Sequence, residues 1–375
     1  MPRRAPALLL YCHGSLGLGH LVRSLALVRA LTSEFRVVLL YGGRLPDGIP
    51  LPPGVDVVVL PPVGDPAEPA RRERVLATFR AVRPRVLVLE LFPFGRKKLL
   101  RELLALLRQA RALGPAAPVV VSSVRDLLVG SRRDQARHDA RACRLANRWF
   151  DAVLVHSDPR FARLEESFRP NVPLRVPVHH TGFVQASPTP AAGSARSGIV
   201  VSAGGGLVGA PLLRAAVDAH ALLAPGTPMT VVAGPFVPED DWQALCAAAE
   251  LRTTLGLSLL RSVPDLAPLL RTASLSVSQC GYNTALEVLL AGPRPLVVPF
   301  AEGREDEQTR RARRLERLGA VRVLPPDGLD GATLARELAA LPRFRPAPLD
   351  LDVGGAERTT ELLSRLVHER FEAVA

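Results

Sequence analysis

Between Ser274 and Gln308 the chain reads SLSVSQCGYNTALEVLLAGPRPLVVPFAEGREDEQ, which sets Gly281, Asn283, Thr284, Glu287, Glu307 and Gln308 around two strands and two helices. An apolar β-type run ends at Ser278, Gly281 breaks it, and a helical pattern starting at Asn283 runs to Gly292. Asn283 or Thr284 is suited to cap that helix, whose first backbone N–H groups form a ready anion site. Glu287 falls on the first turn, and Glu307 and Gln308 open the next helix after the strand Pro295–Pro299. The result is a phosphate seat flanked by groups that accept hydroxyl protons. That chemistry suits a sugar nucleotide.

Two glycine-rich loops belong with it. SAGGGLVG, Ser202–Gly209, follows a strand and precedes a helix, and Gly204, Gly206 and Gly209 satisfy G-x-G-x-x-G. A dinucleotide site wants an acidic residue at the end of the next strand to hold a ribose, and that strand ends in Val232-Ala233-Gly234-Pro235 with no carboxylate. A loop at Ser202, Gly204, Gly205 and Gly206 that brings backbone N–H groups to a pyrophosphate needs no such residue. The second loop, HGSLGLGH, spans His13–His20, with Gly14, Gly17 and Gly19 between the histidines. His20 opens the following helix, and its ordinary pKa of about 6.5 suits removal of a proton from an acceptor hydroxyl. His13 is a second candidate. Glu90 and Asp126 end or follow strands at the same sheet edge, so either is placed to orient such a base. The sequence does not choose between them.

The spacing SxxGxNTxxExxxxGxxPxxxPFxxxxxxEQ resembles the donor half of GT-B glycosyltransferases, in particular the family that adds N-acetylglucosamine to the lipid-linked peptidoglycan precursor. The resemblance implies that Gly281, Asn283 and Thr284 meet the donor diphosphate, Glu287 the ribose, and Glu307 with Gln308 the donor sugar. It also places Gln279 and Tyr282 in the donor site, and Arg261, Ser262 and Val263 at the nucleotide base through backbone contacts. The loop holding His13, Gly14, Gly17, Gly19 and His20 would then face the acceptor. One departure is Arg294, where the family has proline. Retaining members of the fold commonly carry a second Glu eight positions before the ribose Glu. Gln279 stands there, which points to an inverting displacement with His20 as base and Asp126 or Glu90 behind it.

The surrounding chain has the pattern that such a site needs. Strands are expected at Ala7–Cys12, Phe35–Leu40, Val55–Leu60, Arg85–Glu90, Pro118–Ser122 and Ala152–His156, with helical stretches near 20–32, 68–82, 96–112, 132–148 and 159–168. The second half repeats this with strands near 198–203, 229–233, 257–260, 274–278, 295–299 and 320–324. Strand–helix alternation of this kind predicts an α/β fold with two Rossmann-like doubly wound domains across a cleft. The Pro/Ala/Ser/Gly stretch 187–197 reads as a linker between an acceptor-side domain, 1–186, and a nucleotide-sugar domain, 198–375. By resemblance the last helix, about 357–372, crosses back to the first domain.

Composition narrows the class. The chain has 375 residues, enough for two cores, and a formal charge of +12 that comes almost wholly from arginine. The arginines are dispersed with no aromatic-interleaved basic motif, so nucleic acid is not an expected partner, while the basic surface leaves a peripheral membrane contact open. Four scattered cysteines without CxxC predict neither a disulfide framework nor a zinc site, and a cytoplasmic setting follows. Apolar runs fall short of a membrane span. The triplet Asp350-Leu351-Asp352 lies in a Pro-rich loop, so no metal is expected at the site. The expected substrates are a nucleotide-diphospho sugar, with uridine the base that the resemblance implies, and a small or lipid-linked acceptor, with no further cofactor. A sugar-nucleotide hydrolase or 2-epimerase, or a non-catalytic donor-binding protein, is the alternative on the same fold.

Overall fold

The computed structural model describes residues 5–14, 18–46, 49–64, 68–185, 195–252, 255–301 and 305–371. Gly17 and most of the expected linker, 187–197, lie outside these residues, as does the last position of the expected terminal helix.

The first half forms a seven-stranded parallel sheet: β1 (Ala7–His13), β2 (Arg36–Gly42), β3 (Asp56–Val59), β4 (Val86–Glu90), β5 (Val119–Val124), β6 (Ala152–Val155) and β7 (Val178–His180). Its order is β3-β2-β1-β4-β5-β6-β7, so the order in which strands are added reverses between β1 and β4. Ligands of open α/β sheets bind beyond the strand ends at such a switch point. Helices α1 (Gly19–Leu31), α2 (Glu68–Val82), α3 (Leu100–Arg111) and α4 (Gln135–Trp149) cover its faces. The central strands are apolar on both sides, as a sheet covered on both faces requires.

The second half forms a six-stranded parallel sheet of β8 (Ile199–Ser202), β9 (Met229–Val232), β10 (Leu257–Leu260), β11 (Leu275–Ser278), β12 (Arg294–Val297) and β13 (Arg322–Val323). Its order is β10-β9-β8-β11-β12-β13, with the switch between β8 and β11. Around it lie α5 (Ala210–His220), α6 (Glu239–Leu251), α7 (Ala267–Thr272), α8 (Tyr282–Ala291), α9 (Glu307–Arg317) and α10 (Gly331–Ala340). The last helix, α11 (Gly355–Phe371), packs Leu362, Leu363 and Val367 into the core beneath α1. Arg370 at its end pairs with Asp151 at 2.6 Å. No helix among the described residues is long and apolar enough to cross a membrane.

Two expectations fail locally. The stretch 159–168 is a turn followed by a short 3-10 helix, Leu164–Glu166, in place of a full helix. Asp158 accepts from the backbone and side chain of Arg160 and from the Asp352 N–H, which holds the chain in that turn. The strand expected over 320–324 shrinks to Arg322–Val323, because only Leu296 and Val297 of β12 pair with it.

The halves share a core and a polar seam. Leu127, Phe161 and Phe183 pack with Tyr282, Leu286 and Leu315. Beside them Arg311 of α9 donates to both Asp126 oxygens, at 2.6 and 2.7 Å, and to the Cys280 carbonyl. Both partners are buried, with side-chain exposure of 2% and 0%. Removing one member of such a pair strands a buried charge, at about 3–5 kcal/mol, whereas an apolar replacement of both is far milder. Arg311→Ala is therefore expected to lose stability of this order in denaturant unfolding, and Arg311→Met with Asp126→Leu much less. A single variant as stable as the parent would show that the pair does not hold the halves together.

Candidate functional site

The cleft between the sheets encloses a cavity of about 850 Å³. That is ample for a nucleotide-sized ligand. One wall comes from the carboxyl ends of β8 and β11. Ser202, Gly204, Gly205 and Gly206 line it, with Ser262, Val263, Gln279, Gly281, Tyr282, Asn283, Thr284, Glu287, Glu307 and Gln308. Gly206 has φ 89°, and a Cβ there would stand 2.7 Å from the Ala233 carbonyl oxygen, so the turn admits only glycine.

Helix α8 begins one residue earlier than the sequence suggests. Gly281 is its N-cap with no side-chain cap, and the first helical bond runs from Ala285 N–H to Gly281 O. The three preceding N–H groups therefore have no acceptor within the helix. Glu287 falls on the second turn as a result. Asn283 does not cap; its Nδ2 donates across the cleft to the Gly19 carbonyl at 3.0 Å. Tyr282 donates its hydroxyl to the His156 carbonyl and accepts from the Val184 N–H, both at 2.9 Å, so it anchors α8 to the first half.

The acids here differ in charge. Burial, with Asp265 nearby, pushes the Glu287 carboxyl up to about 7. Burial acts the same way on Glu307, but Arg125 and Arg311 outweigh it and bring that carboxyl down to about 2. Gln308 spends its amide oxygen on the N–H groups of Cys280 and Phe300. Its amide nitrogen is thereby fixed as the group offered to a ligand. Gln279 donates to the Val208 carbonyl.

The opposite wall rises from β1, β4 and β5. His20, on the first turn of α1, sits with Nδ1 at 2.5 Å from Glu90 Oε1. Arg23, one turn further on, reaches the same oxygen at 2.5 Å, and Arg96 reaches the other at 2.6 Å. The loop after β4 turns sharply to allow this, with Leu91 and Arg96 both at φ 63°. Burial alone would raise the Glu90 carboxyl, yet His20, Arg96 and Arg23 hold it well below the usual range. Burial, followed by the charge of Arg125, lowers His20 to about 3, so its imidazole is neutral near pH 7. With Nδ1–H donated to Glu90, Nε2 presents the lone pair. This is the arrangement of an oriented base.

The structure thus separates the two carboxylates left open by the sequence. Glu90 orients His20, while Asp126 is committed to Arg311 and is not the partner of His20. Three further sequence candidates do not line the cavity. His13 is directed toward Gly42, where its ring would meet an added Cβ, and Gly14 packs on Tyr41. The Arg261 side chain turns outward to Glu239 and the Trp242 ring. Asp350 pairs with Arg160, and Asp352 with Arg358. Arg125 carries no motif but lies inside the cavity, donating through NH1 to Glu307 at 2.8 Å.

Comparison with known proteins agrees with this architecture. Residues 206–350 match the glycosyltransferase family 28 C-terminal domain. The chain is 37% identical over 87 residues to a UDP-N-acetylglucosamine–N-acetylmuramyl-(pentapeptide) pyrophosphoryl-undecaprenol N-acetylglucosamine transferase of Ralstonia nicotianae, covering 23% of this chain and 24% of that one. The same enzyme of Hahella chejuensis is 32% identical over 112 residues, 29% of this chain and 31% of that one. The chain thus spans only about a quarter to a third of the length of the curated relatives it matches. The fold extends further. MurG of Acinetobacter baumannii superposes with a TM-score of 0.57 at 16% identity, covering 96% of this chain and 100% of that one. A UDP-glucosyltransferase from Polygonum tinctorium gives 0.60 at 16% identity, covering 100% and 95%. The fold is GT-B, and the chain resembles the MurG family in its second half.

Neutral burial of histidine has a pH signature. His20 and His156, the latter bonded to Ser123 and Thr181, are both lowered to about 3. Their contribution to stability is complete above the unfolded value of about 6.5 and is lost as pH falls below it, each at about 1.4 kcal/mol per pH unit. Denaturant midpoints are expected to drop as pH falls from 7.5 to 5.5, and His20→Gln to flatten that slope by about half a proton on average over this range, rising toward one proton at its acid end. An unchanged slope in the variant would mean that His20 is not held neutral.

Proposed function

We propose that this protein is an inverting glycosyltransferase that moves a sugar from a nucleoside-diphospho sugar to an acceptor hydroxyl. The observation that carries this reading is that a buried, Glu90-oriented His20 from one sheet faces the Glu287, Glu307 and Gln308 wall of the other across a single cavity. The diphosphate would lie against the Gly204–Gly206 turn and the amino end of α8, where backbone N–H groups favour negative charge. Glu287 would accept the ribose hydroxyls, and Glu307 with the Gln308 amide would grip the sugar.

In the reaction the acceptor oxygen attacks C1 as its proton passes to His20 Nε2. The C1–O bond to the diphosphate breaks, and its electron pair leaves with the phosphate oxygen. Glu90 holds the imidazole in the tautomer that can take the proton and stabilises the imidazolium that forms. A single displacement of this kind inverts the anomeric centre, and no carboxylate stands at position 279 to support a double one. The developing charge is met by helix termini, so a divalent cation is not required.

The acceptor would approach over the first sheet. Leu18, Val22, Leu25, Ile49, Phe94 and Leu128 line that side, with Arg29 and Arg132 among them. An apolar wall bearing cations suits an acceptor with an apolar body and an anionic group, a class that includes lipid-linked sugars. Contact with the inner face of a membrane would follow from such an acceptor. Uridine is the base suggested by the names of the matched relatives.

Two outcomes test the reading. Because ribose hydroxyls need an ionised acceptor while burial raises the free Glu287 carboxyl to about 7, nucleoside diphosphate binding should release a proton and tighten between pH 6 and 8. Calorimetry in buffers of different ionisation enthalpy reads this, and Glu287→Ala should abolish both the proton release and most of the affinity, since charged hydrogen bonds contribute roughly 1.5–3 kcal/mol each. Affinity that is unchanged in Glu287→Ala would refute the assignment. Separately, His20→Ala should keep donor affinity yet lower turnover by about 10²–10⁴-fold, in excess chelator as well as without it. Parental turnover in that variant would remove His20 as the base.

A further inference from the structure

We infer that Arg125, the guanidinium that follows β5, is a donor-diphosphate ligand supplied from the first half of the chain across the cleft. The inference rests on the proposed glycosyl transfer and adds to it a residue that the donor motifs of the second half do not contain.

Three observations place it. Arg125 lies inside the cavity, with only 14% of its side chain exposed, and NH1 is fixed at 2.8 Å on Glu307 Oε1. Its other terminal nitrogen reaches the junction of two helix starts: a Cβ on Gly19 would stand 3.7 Å from Arg125 NH2 and 3.9 Å from Asn283 Nδ2. Thr284 Oγ1 would in turn stand 3.8 Å from a Cβ on Gly204, so Arg125, Asn283, Thr284 and the Gly204 turn form one continuous rim. Asn283 is committed by its Nδ2 to Gly19, and Thr284 is neutral. Arg125 is therefore the charged donor on this rim. An arginine whose fork is shared between a carboxylate and an open cavity has a terminal N–H pair left to offer an anion.

Glu307 is a poor candidate for the sole purpose of Arg125. It already has Arg311, whose NH2 lies at 2.9 Å from the same oxygen. Asp126 and Glu307 balance Arg311 and Arg125 in this cluster, while Glu90 beside it faces both Arg23 and Arg96, so the first wall carries one guanidinium in excess and a diphosphate on Arg125 supplies the missing negative charge. The Arg125 charge is also, after burial, the leading cause of the low basicity of His20. A diphosphate that takes up that charge would make the imidazole a better base once the donor is in place.

The test compares two variants that a purely structural ion pair would make alike. The probe is whichever of uridine, thymidine or guanosine diphosphate stabilises the parent protein best, alongside its nucleoside. Arg125→Gln should weaken the diphosphate by about tenfold or more, the scale of one charge-assisted hydrogen bond, and leave the nucleoside unchanged. Glu307→Gln frees the guanidinium from its carboxylate, so it should bind the bare diphosphate as well as the parent or better, while losing discrimination among donor sugars. Arg125→Lys should recover part of the diphosphate affinity. Equal diphosphate affinity in Arg125→Gln and parent, or an equal loss in Arg125→Gln and Glu307→Gln, would overturn the inference. If Arg125→Gln does not fold, the Lys and Glu307→Gln variants still decide it: a loss of bare-diphosphate affinity in Glu307→Gln as large as or larger than that in Arg125→Lys would refute it. A parent protein that takes up neither nucleoside nor diphosphate would instead refute the proposed function itself.

Discussion

The geometry of the cleft depends on one buried contact, the two-pronged pairing of Arg311 with Asp126. Each group alone would be costly to bury, and each comes from a different half of the chain, so the low-dielectric seam is satisfied only when the halves meet in one register. Arg311 extends the constraint by donating to the Cys280 carbonyl, next to the Gly281 turn, and to Glu307 at the mouth of α9. The second-half wall of the cavity is thus tied to the seam at two points. Tyr282 adds a third by bridging the His156 carbonyl and the Val184 N–H. Because these anchors lie directly behind residues that line the cavity, small movements of the halves would be felt at the site.

On the other wall a second buried cluster works by surplus of charge. Glu90 is shared among His20, Arg23 and Arg96, which keeps it ionised and locks the imidazole by its Nδ1–H. Burial and the arginines keep His20 neutral, so the lone pair needed to accept a proton is present at neutral pH. The cost is weak basicity in the empty cleft. A site of this type gains from a polyanionic ligand, since phosphate charge offsets the cations that hold the base down. In the proposed reaction, donor and base would be coupled through electrostatics, without any need for them to touch.

Much of the second-half wall of the cavity was legible because its residues are local: Gly281, Asn283, Thr284 and Glu287 follow one another on a single strand–turn–helix unit. The start of α8 was misplaced by one residue because Asn283, which looks like a cap, is used instead across the cleft on Gly19. The choice between Glu90 and Asp126 needed strand order. β4 pairs directly with β1, which brings Glu90 beside the loop that leads to His20, while Asp126 follows β5 one strand further along and turns to α9. Arg125 was invisible to sequence reading because its partner is 182 positions away and an isolated arginine in an arginine-rich chain carries no signal. The turn at 159–168 escaped for a similar reason, since Asp158 is fixed partly by the distant Asp352 N–H.

The most direct measurement is a crystal structure of the protein grown with a nucleoside diphosphate and, in parallel, with the intact sugar donor. The expected result is a diphosphate between the Gly204–Gly206 turn and the amino end of α8, ribose on Glu287, and the sugar C1 presented toward His20 Nε2. A nucleotide bound outside the cleft, or seated with its sugar turned away from His20, would contradict transfer between the two walls.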